Sequence, residues 1–382
     1  MFQFSDLSKA GFDPRPAVIR SSDWHTLCEC PFLYLLKHRL GISQPLSTAP
    51  ALGLGTWSHR SLECSLRGLE GQEKTRFLED ALREDTKKAN TALTPHFAQS
   101  FNEDNAHWME VGFICQEEAN RILPLPPHLS LLSCEALALS TLKDLLWGDF
   151  CEEVEIAGRF DALLYDENKN EIYILDAKTT SMSPVARFST IPWEYQTLLY
   201  RLLALTLLED GVIQSVYNLP PDASFGGIMH YIWQIPGIRI READRKAEMV
   251  EGFGYAREVY RQRCREWYQA TGEFAKNSIQ FELEPPVLLH ITRWAKSEPP
   301  VDDQFLTRIL RHAHYCTTTN MSEFWKSDDG IRNFGKVSHY APFYTSHPSE
   351  WPDLMRNFTI HFRDQPYPAK TTPTPTFLFT NS

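Results

Sequence analysis

The spacing of apolar and polar positions changes several times along the chain, and each change marks an element. In "WEYQTLLYRLLALTLLEDG" apolar residues recur every three or four positions over a wide face and stop at a glycine, which predicts a helix. "TWSHRSLECSLRGLE" repeats that spacing, and residues 71–123 are mostly charged helix formers, closed by "LPLPPHLS". From Glu153 the pattern changes. "EVEIAGRFDALLYD" and "EIYILDAKTT" are rich in β-formers and joined by the polar "ENKN", which predicts a hairpin. "GGIMHYIWQI" predicts another strand, and "READRKAEMVEGFGYAREVYRQRCREWYQATGEF" one long charged helix. Near the N-terminus, "IRSSDWHTLCECPFLYLLKHRLGI" predicts a short helix capped by Ser21 or Ser22 and a second helix starting at Pro31. Past about residue 276 the pattern is irregular, and "YPAKTTPTPTFLFTNS" is a Pro/Thr-rich tail unable to build a core.

Composition narrows the classes. The 382 residues, 42% hydrophobic and 23% charged, suit one large globular domain or two modest ones. No run approaches the roughly eighteen apolar residues of a membrane span. The longest, Leu198 to Leu208, is interrupted by Tyr200 and Arg201. The N-terminus lacks the basic and then apolar order of a secretory signal, so no membrane and a cytoplasmic location are expected. The eight cysteines are scattered in a chain too large to need disulfide staples, and most are expected as buried free thiols. A net charge of -11 excludes a protein that coats nucleic acid through overall charge, but not a local basic groove or carboxylates that hold a divalent metal.

The hairpin carries the chemistry. Side chains alternate along a strand, so Ile174, Asp176 and Lys178 share one face while Leu175 and Ala177 point to the other. Across the hairpin, Asp161 stands between Phe160 and Ala162. Carboxylates and a lysine in segments that otherwise want burial need partners or a chemical task. Metal-assisted phosphodiester cleavage fits them. Asp161 and Asp176 would give hard oxygen ligands to Mg²⁺ or Mn²⁺, and the backbone carbonyl of Ala177 could add another. Lys178 would position the attacking water or stabilise charge on the pentacovalent phosphorus. Taken alone, the Asp-x-Lys triplet is more simply the solvated or self-paired end of a strand. Two further spacings change that: His59 and Glu63 lie four apart on one helix, and Gln196 and Tyr200 lie four apart on another built from Leu198, Leu199, Leu202 and Leu203.

The ordered set resembles the PD-(D/E)XK nuclease superfamily, and within it the RecB-like branch that includes the exonuclease domains of bacterial RecB and AddB and the CRISPR-associated RecB-like nucleases. "GLGTWSHRSLE" looks like the first motif of that branch, "GRFDALL" the second, "ILDAKTT" the third and "YQTLLY" its glutamine and tyrosine signature. "SSDWHTLCECPFLYLLK" resembles its N-terminal segment, so the likeness covers roughly residues 20–235. It implies an α/β fold, with a central mixed sheet flanked by helices. The nuclease domain would span 1–275 with a helical insertion at about 64–150, and 276–382 would pack on it as an extension with a flexible tail from 366. His59, Asp161 and Asp176 are implied as metal ligands and Lys178 as the catalytic lysine; Gln196 and Tyr200 would contact DNA or orient the lysine. Glu63 is left as a partner of His59, a ligand or a solvated helix residue. The implied activity is an Mg²⁺- or Mn²⁺-dependent DNA exonuclease acting on ends or single strands in recombination, repair or phage DNA metabolism. No G-x-x-x-x-G-K-[ST] loop is present, so a motor would come from a helicase or recombination partner.

The resemblance breaks at the cysteines. Several members of the branch hold a four-cysteine iron-sulfur cluster. Cys28 and Cys30 stand where its first cysteine is expected, but after Cys264 only Cys316 follows, and "RNFGKVSHYAPFYTSHP" offers His339, Tyr340 and His347 instead. No iron-sulfur cluster is expected, Cys28 and Cys30 are read as structural, and the C-terminal region is expected to close by ordinary apolar contacts. His312, His314 and Cys316 lack a fourth zinc ligand at matching spacing and are read as surface residues. Trp193 and Trp233 could stack on unpaired bases, although a core role is simpler. The acidic charge and missing cysteines also motivate a different class, a catalytically inactive DNA-binding or assembly subunit on the same fold, against which the intact ligand and lysine set counts. An RNase of this fold is the third alternative.

Overall fold

The computed structural model describes residues 18–43, 50–92, 95–122, 125–141, 155–181, 194–238, 240–251, 255–271 and 340–355, residues 187 and 191, and five short strands further along the chain. Its helices are α1 (Ser21–Glu29), α2 (Pro31–Tyr34, continuing as a π turn over Leu35–Arg39), α3 (Pro50–Leu66), α4 (Gly71–Ala92), α5 (Pro95–Ile122), α6 (Tyr195–Glu209), α7 (Val212–Tyr217), α8 (Glu242–Glu251), α9 (Tyr255–Thr271), α10 (Ala341–Thr345) and α11 (Trp351–Leu354). The strands are β1 (Val18–Ile19), β2 (Ile42–Ser43), β3 (Leu129–Thr141), β4 (Glu155–Asp166), β5 (Glu171–Thr180), β6 (Ser224–Gln234), β7 (Leu288–His290), β8 (Arg332–Asn333), β9 (Lys336–Val337), β10 (Thr359–Ile360) and β11 (Phe377–Phe379). Seven strands form one mixed sheet in the order β11-β3-β4-β5-β6-β7, with β1 beside β4. Neighbours run antiparallel from β3 to β5, and β5 and β6 run parallel. A parallel pair needs a crossover, and α6 and α7 supply it.

Alternation along β5 sorts the core into two layers. Ile172 and Ile174 join a buried cluster with Leu199, Leu203 and Leu207 of α6. Tyr173, Leu175 and Ala177 join a second cluster with Leu62 of α3, Ile114 and Cys115 of α5, and Tyr260 and Cys264 of α9. The sheet is therefore covered by helices on both faces, the α/β arrangement that the resemblance implies.

Strand β3 lies inside the stretch expected as a helical insertion. Its "LSLLSCEALALST" is rich in the helix formers Leu and Ala, and its register on β4 shifts between Leu131 and Ser133. Glu135 then takes a left-handed φ of 54°. Two interruptions in thirteen residues erase the period-two signal by which a strand is read. The expected single charged helix is two, α8 and α9, with residues 252–254 outside the described ones. Neither Ser21 nor Ser22 caps α1: the extended residue before it is Arg20, and no side chain makes the cap hydrogen bond.

Residues 30–43 meet residues 340–355 and 359–360. Tyr340, Phe343, Tyr344 and Trp351 are buried in one cluster with Phe32, Leu35 and Leu36. The Phe32 ring meets Tyr344 edge-on with 4.8 Å between centroids, and Cys30 Sγ lies 3.1 Å from the Tyr344 hydroxyl. Tyr340 donates to the Ile42 carbonyl and β10 pairs with β2. Residues 377–379, in the segment expected as a tail, pair with β3 as a parallel edge strand. Trp233 is fully buried beside Tyr231 and belongs to the core. Trp193, His312, His314, Cys316 and His339 lie outside the described residues. Among the described residues no helix is long and apolar enough to cross a membrane.

Candidate active site

The site forms where two strands part. The β4–β5 ladder runs from Asp166↔Glu171 to Ala162↔Leu175 and stops there, while β5 continues against β6 to Thr180↔Gln234 and β4 continues against β3. In the fork, the Ala177 N–H donates to Asp161 Oδ2 at 2.7 Å, so a side chain replaces the missing ladder bond. The N–H and C=O of one strand residue point to the same edge, and the Ala177 carbonyl accordingly faces the fork. Strand β4 changes facing here. Phe160 lies in the α6-side cluster, Ala162 in the opposite one and Leu163 back in the first. The register pairs flanking this point, Cys134↔Ala162 and Ala136↔Phe160, bracket Glu135 with its left-handed backbone. Such irregularities re-aim side chains, and the one re-aimed is Asp161.

A hydrogen-bond chain joins three elements around the fork. Asp176 Oδ1 receives Lys178 Nζ at 2.9 Å and Gln196 Nε2 at 3.2 Å. Gln196 Oε1 accepts from Lys178 Nζ at 2.8 Å, and its Nε2 also donates to the Tyr200 hydroxyl at 2.9 Å. Tyr200 donates in turn to the backbone carbonyl of Arg159 on β4. A side-chain amide carries a donor and an acceptor on separate atoms, which is why glutamine can serve a carboxylate, an ammonium and a phenol together. The helix that brings Gln196 and Tyr200 comes close because β4 has a glycine beneath it: a Cβ on Gly158 would meet Leu203 Cδ1 at 2.7 Å and the Tyr200 ring at 3.3 Å.

His59 reaches the fork from α3 on the other face, with Nδ1 3.6 Å from Asp161 Oδ1. The side chains of His59, Asp161 and Lys178 are 31%, 21% and 16% exposed, and that of Asp176 only 2%. Burial alone would raise the Asp176 carboxyl, but the Lys178 ammonium and His230 hold it well below the ordinary carboxylate range. Burial likewise opposes the charge on Lys178, yet Asp176 and then Asp161 raise its pKa. For His59, burial is outweighed by Asp161, and its pKa is raised. Lys178 is therefore a fixed cation between two carboxylates at neutral pH.

All six residues of the ordered set, His59, Asp161, Asp176, Lys178, Gln196 and Tyr200, converge here. Glu63 does not. One turn after His59, it pairs with Arg67 at 2.7 Å and lies near Cys134 of β3. Sequence reading missed His230 on β6, the register partner of Asp176, whose Nδ1 stands 2.9 Å from Asp176 Oδ2. A signal existed: a polar residue inside the apolar run "GGIMHYIWQI", the same anomaly that singles out Asp161. Among the described residues no three His, Cys, Asp or Glu side chains close into a ready-made metal cluster. The donors that face the fork, two carboxylates and a backbone carbonyl, are nonetheless the hard oxygens that Mg²⁺-like ions take, so the residues fit such an ion.

A family model described as the PD-(D/E)XK nuclease superfamily matches residues 21–286, more than half of the chain. That range contains every residue of the fork and of its hydrogen-bond chain. A comparison with curated proteins returns no match.

Proposed function

Since the chain belongs to the PD-(D/E)XK nuclease superfamily, whose members generally use divalent metals such as Mg²⁺, we propose that it is an Mg²⁺- or Mn²⁺-dependent deoxyribonuclease that removes nucleotides from DNA ends. The observation that carries this reading is the fork itself: Asp161 and Asp176 flank a lysine kept charged, and Gln196 fixes that lysine at 2.8 Å. Asp161, Asp176, the Ala177 carbonyl and His59 are the groups that would hold the ion. When bound, the ion lowers the pKa of a water and neutralises charge on the scissile phosphate. Lys178 offers a cation, held in place before substrate arrives, to the charge that grows on the phosphate oxygens. Gln196 and Tyr200 keep it from rotating away, anchoring it through Arg159 to the sheet. Action on ends and a role in recombination or repair rest on the likeness to the RecB-like branch.

The test is cleavage of end-labelled linear and covalently closed circular DNA, single- and double-stranded, with Mg²⁺, Mn²⁺ or EDTA. Metal-dependent loss of linear DNA alone, reduced at least about 10²–10³-fold by Lys178→Ala, supports the exonuclease. Nicked circles turn the reading into an endonuclease. Wild-type protein that binds DNA and cleaves nothing in any metal overturns it in favour of a binding or assembly subunit.

A further inference from the structure

His230 occupies an unusual place for an imidazole. It lies in the middle of β6, 0% exposed, in a register pair with Asp176 of β5. A histidine so deep in a mixed sheet costs more than an apolar residue unless its polar atoms are used. Its Nδ1 is 2.9 Å from Asp176 Oδ2, whereas the polar contacts of Lys178 and Gln196 both go to Oδ1. The two oxygens of Asp176 are thus divided between the sheet interior and the fork. Because an ionised carboxylate only accepts, the proton of this bond sits on Nδ1 and His230 is the donor.

We propose that His230 is a positioning residue: by donating from Nδ1 to Oδ2 it fixes the Asp176 side-chain rotation, so that Oδ1 alone is presented to a divalent cation in the fork. The inference deepens the nuclease reading and rests on its assignment of Asp176 as a ligand. Without the donor, the carboxylate turns about its Cβ–Cγ bond and divides its time between Lys178 and other orientations. Partners that orient metal ligands in this way typically change metal affinity or activity by about 10–100-fold when removed.

The experiment measures Mn²⁺ binding directly, by calorimetric titration of full-length wild type, His230→Leu, His230→Asn and Asp176→Asn, with DNA cleavage recorded separately. His230→Leu fills the position with an apolar side chain and loses the donor. His230→Asn retains an N–H donor the same number of bonds from the backbone as Nδ1. The expected result is Mn²⁺ affinity weakened about 10–100-fold in His230→Leu and restored to within a few-fold in His230→Asn, with the KM for DNA unchanged in both. If His230→Leu does not fold, His230→Gln replaces it, since its amide reaches the Nε2 position instead, and the same loss is expected. Mn²⁺ affinity in the Leu or Gln variant equal to wild type overturns the proposal, as does a loss that Asn does not restore. Wild type that binds Mn²⁺ no better than Asp176→Asn overturns it together with the metal assignment. Wild type that binds Mn²⁺ tightly but cleaves no DNA removes the nuclease reading alone, and the affinity series still decides the role of His230.

Discussion

Helices α6 and α9 cover opposite faces of the same sheet, and they are held by different forces. Leu198, Leu199, Leu203, Ala204 and Leu207 of α6 are all buried in the sheet-facing cluster, and the helix is let in close over Gly158. Helix α9 buries Tyr260 and Cys264, but its outer edge is a row of ion pairs to α5: Arg257 with Glu110 at 2.7 Å, Arg261 with Glu117 at 2.9 Å and Arg265 with Glu118 at 3.0 Å. The four-residue spacing of these arginines places them on one stripe of the helix. Apolar burial is not screened by salt, whereas partly exposed ion pairs contribute little each and are screened. The helix that carries Gln196 and Tyr200 into the fork is the one held by burial. A site that must keep a lysine and a carboxylate in register needs support that ionic strength cannot loosen.

Four substitutions sharpen or break that comparison. The two largest effects are similar in size, and the first is expected at the fork. Asp176→Asn takes the ionised partner from the largely buried Lys178 and the charge from the fully buried carboxylate position itself, and should cost about 3 kcal/mol at neutral pH in the presence of EDTA. Its carboxyl is held below the ordinary value of 3.8 in the folded chain, so its contribution is present above 3.8 and lost as pH falls toward the folded-state value. The gap in urea midpoints between wild type and variant should therefore stay constant from pH 7 down to 3.8 and narrow only below that, as pH is lowered toward about 2; a gap that does not narrow there would mean that the ionised carboxylate is not what stabilises. Next comes Leu203→Ala in α6, which empties a fully buried position and should cost about 2–5 kcal/mol, equally at low and high salt. Gln196→Leu keeps the bulk of the side chain and deletes the amide's bonds to Lys178, Asp176 and Tyr200, leaving Lys178 its ion pair with Asp176. Cleavage should fall about 10–100-fold while thermal stability moves little, and unchanged rates would show Lys178 to be placed by Asp176 alone. The smallest effect belongs to α9: Arg261→Ala should cost no more than about 1 kcal/mol at low salt and nothing measurable in about 1 M salt. A salt-independent loss there would mean that α9 is held by the arginine's aliphatic stem over Phe113, which its guanidinium approaches at 5.9 Å, and the contrast with α6 would disappear.

What could be read from the residue order was what repeats over short distances. Period-two alternation put Asp176 and Lys178 on one face of β5, helical spacing put Gln196 and Tyr200 on one face of α6, and the interruption of apolar runs by Asp161 marked the second carboxylate. Each depends on backbone geometry within a few residues. Glu63 shows the limit of that logic. Its spacing from His59 is right, but Arg67, four residues on, claims its carboxylate at 2.7 Å, and only the docking of α3 shows which of the two turns reaches the fork. Strand β3 was hidden because a register shift and a left-handed glutamate break its period. The fork exists because β5 leaves β4 for β6, and His230 reaches Asp176 across 54 residues of chain through that ladder. Local pattern determines how each element is built and which face it offers. Which strand lies beside which, and so which buried side chain becomes a neighbour of the site, is set by competition among long-range pairings for the same hydrogen bonds and apolar area, and that competition leaves no periodic trace in the sequence.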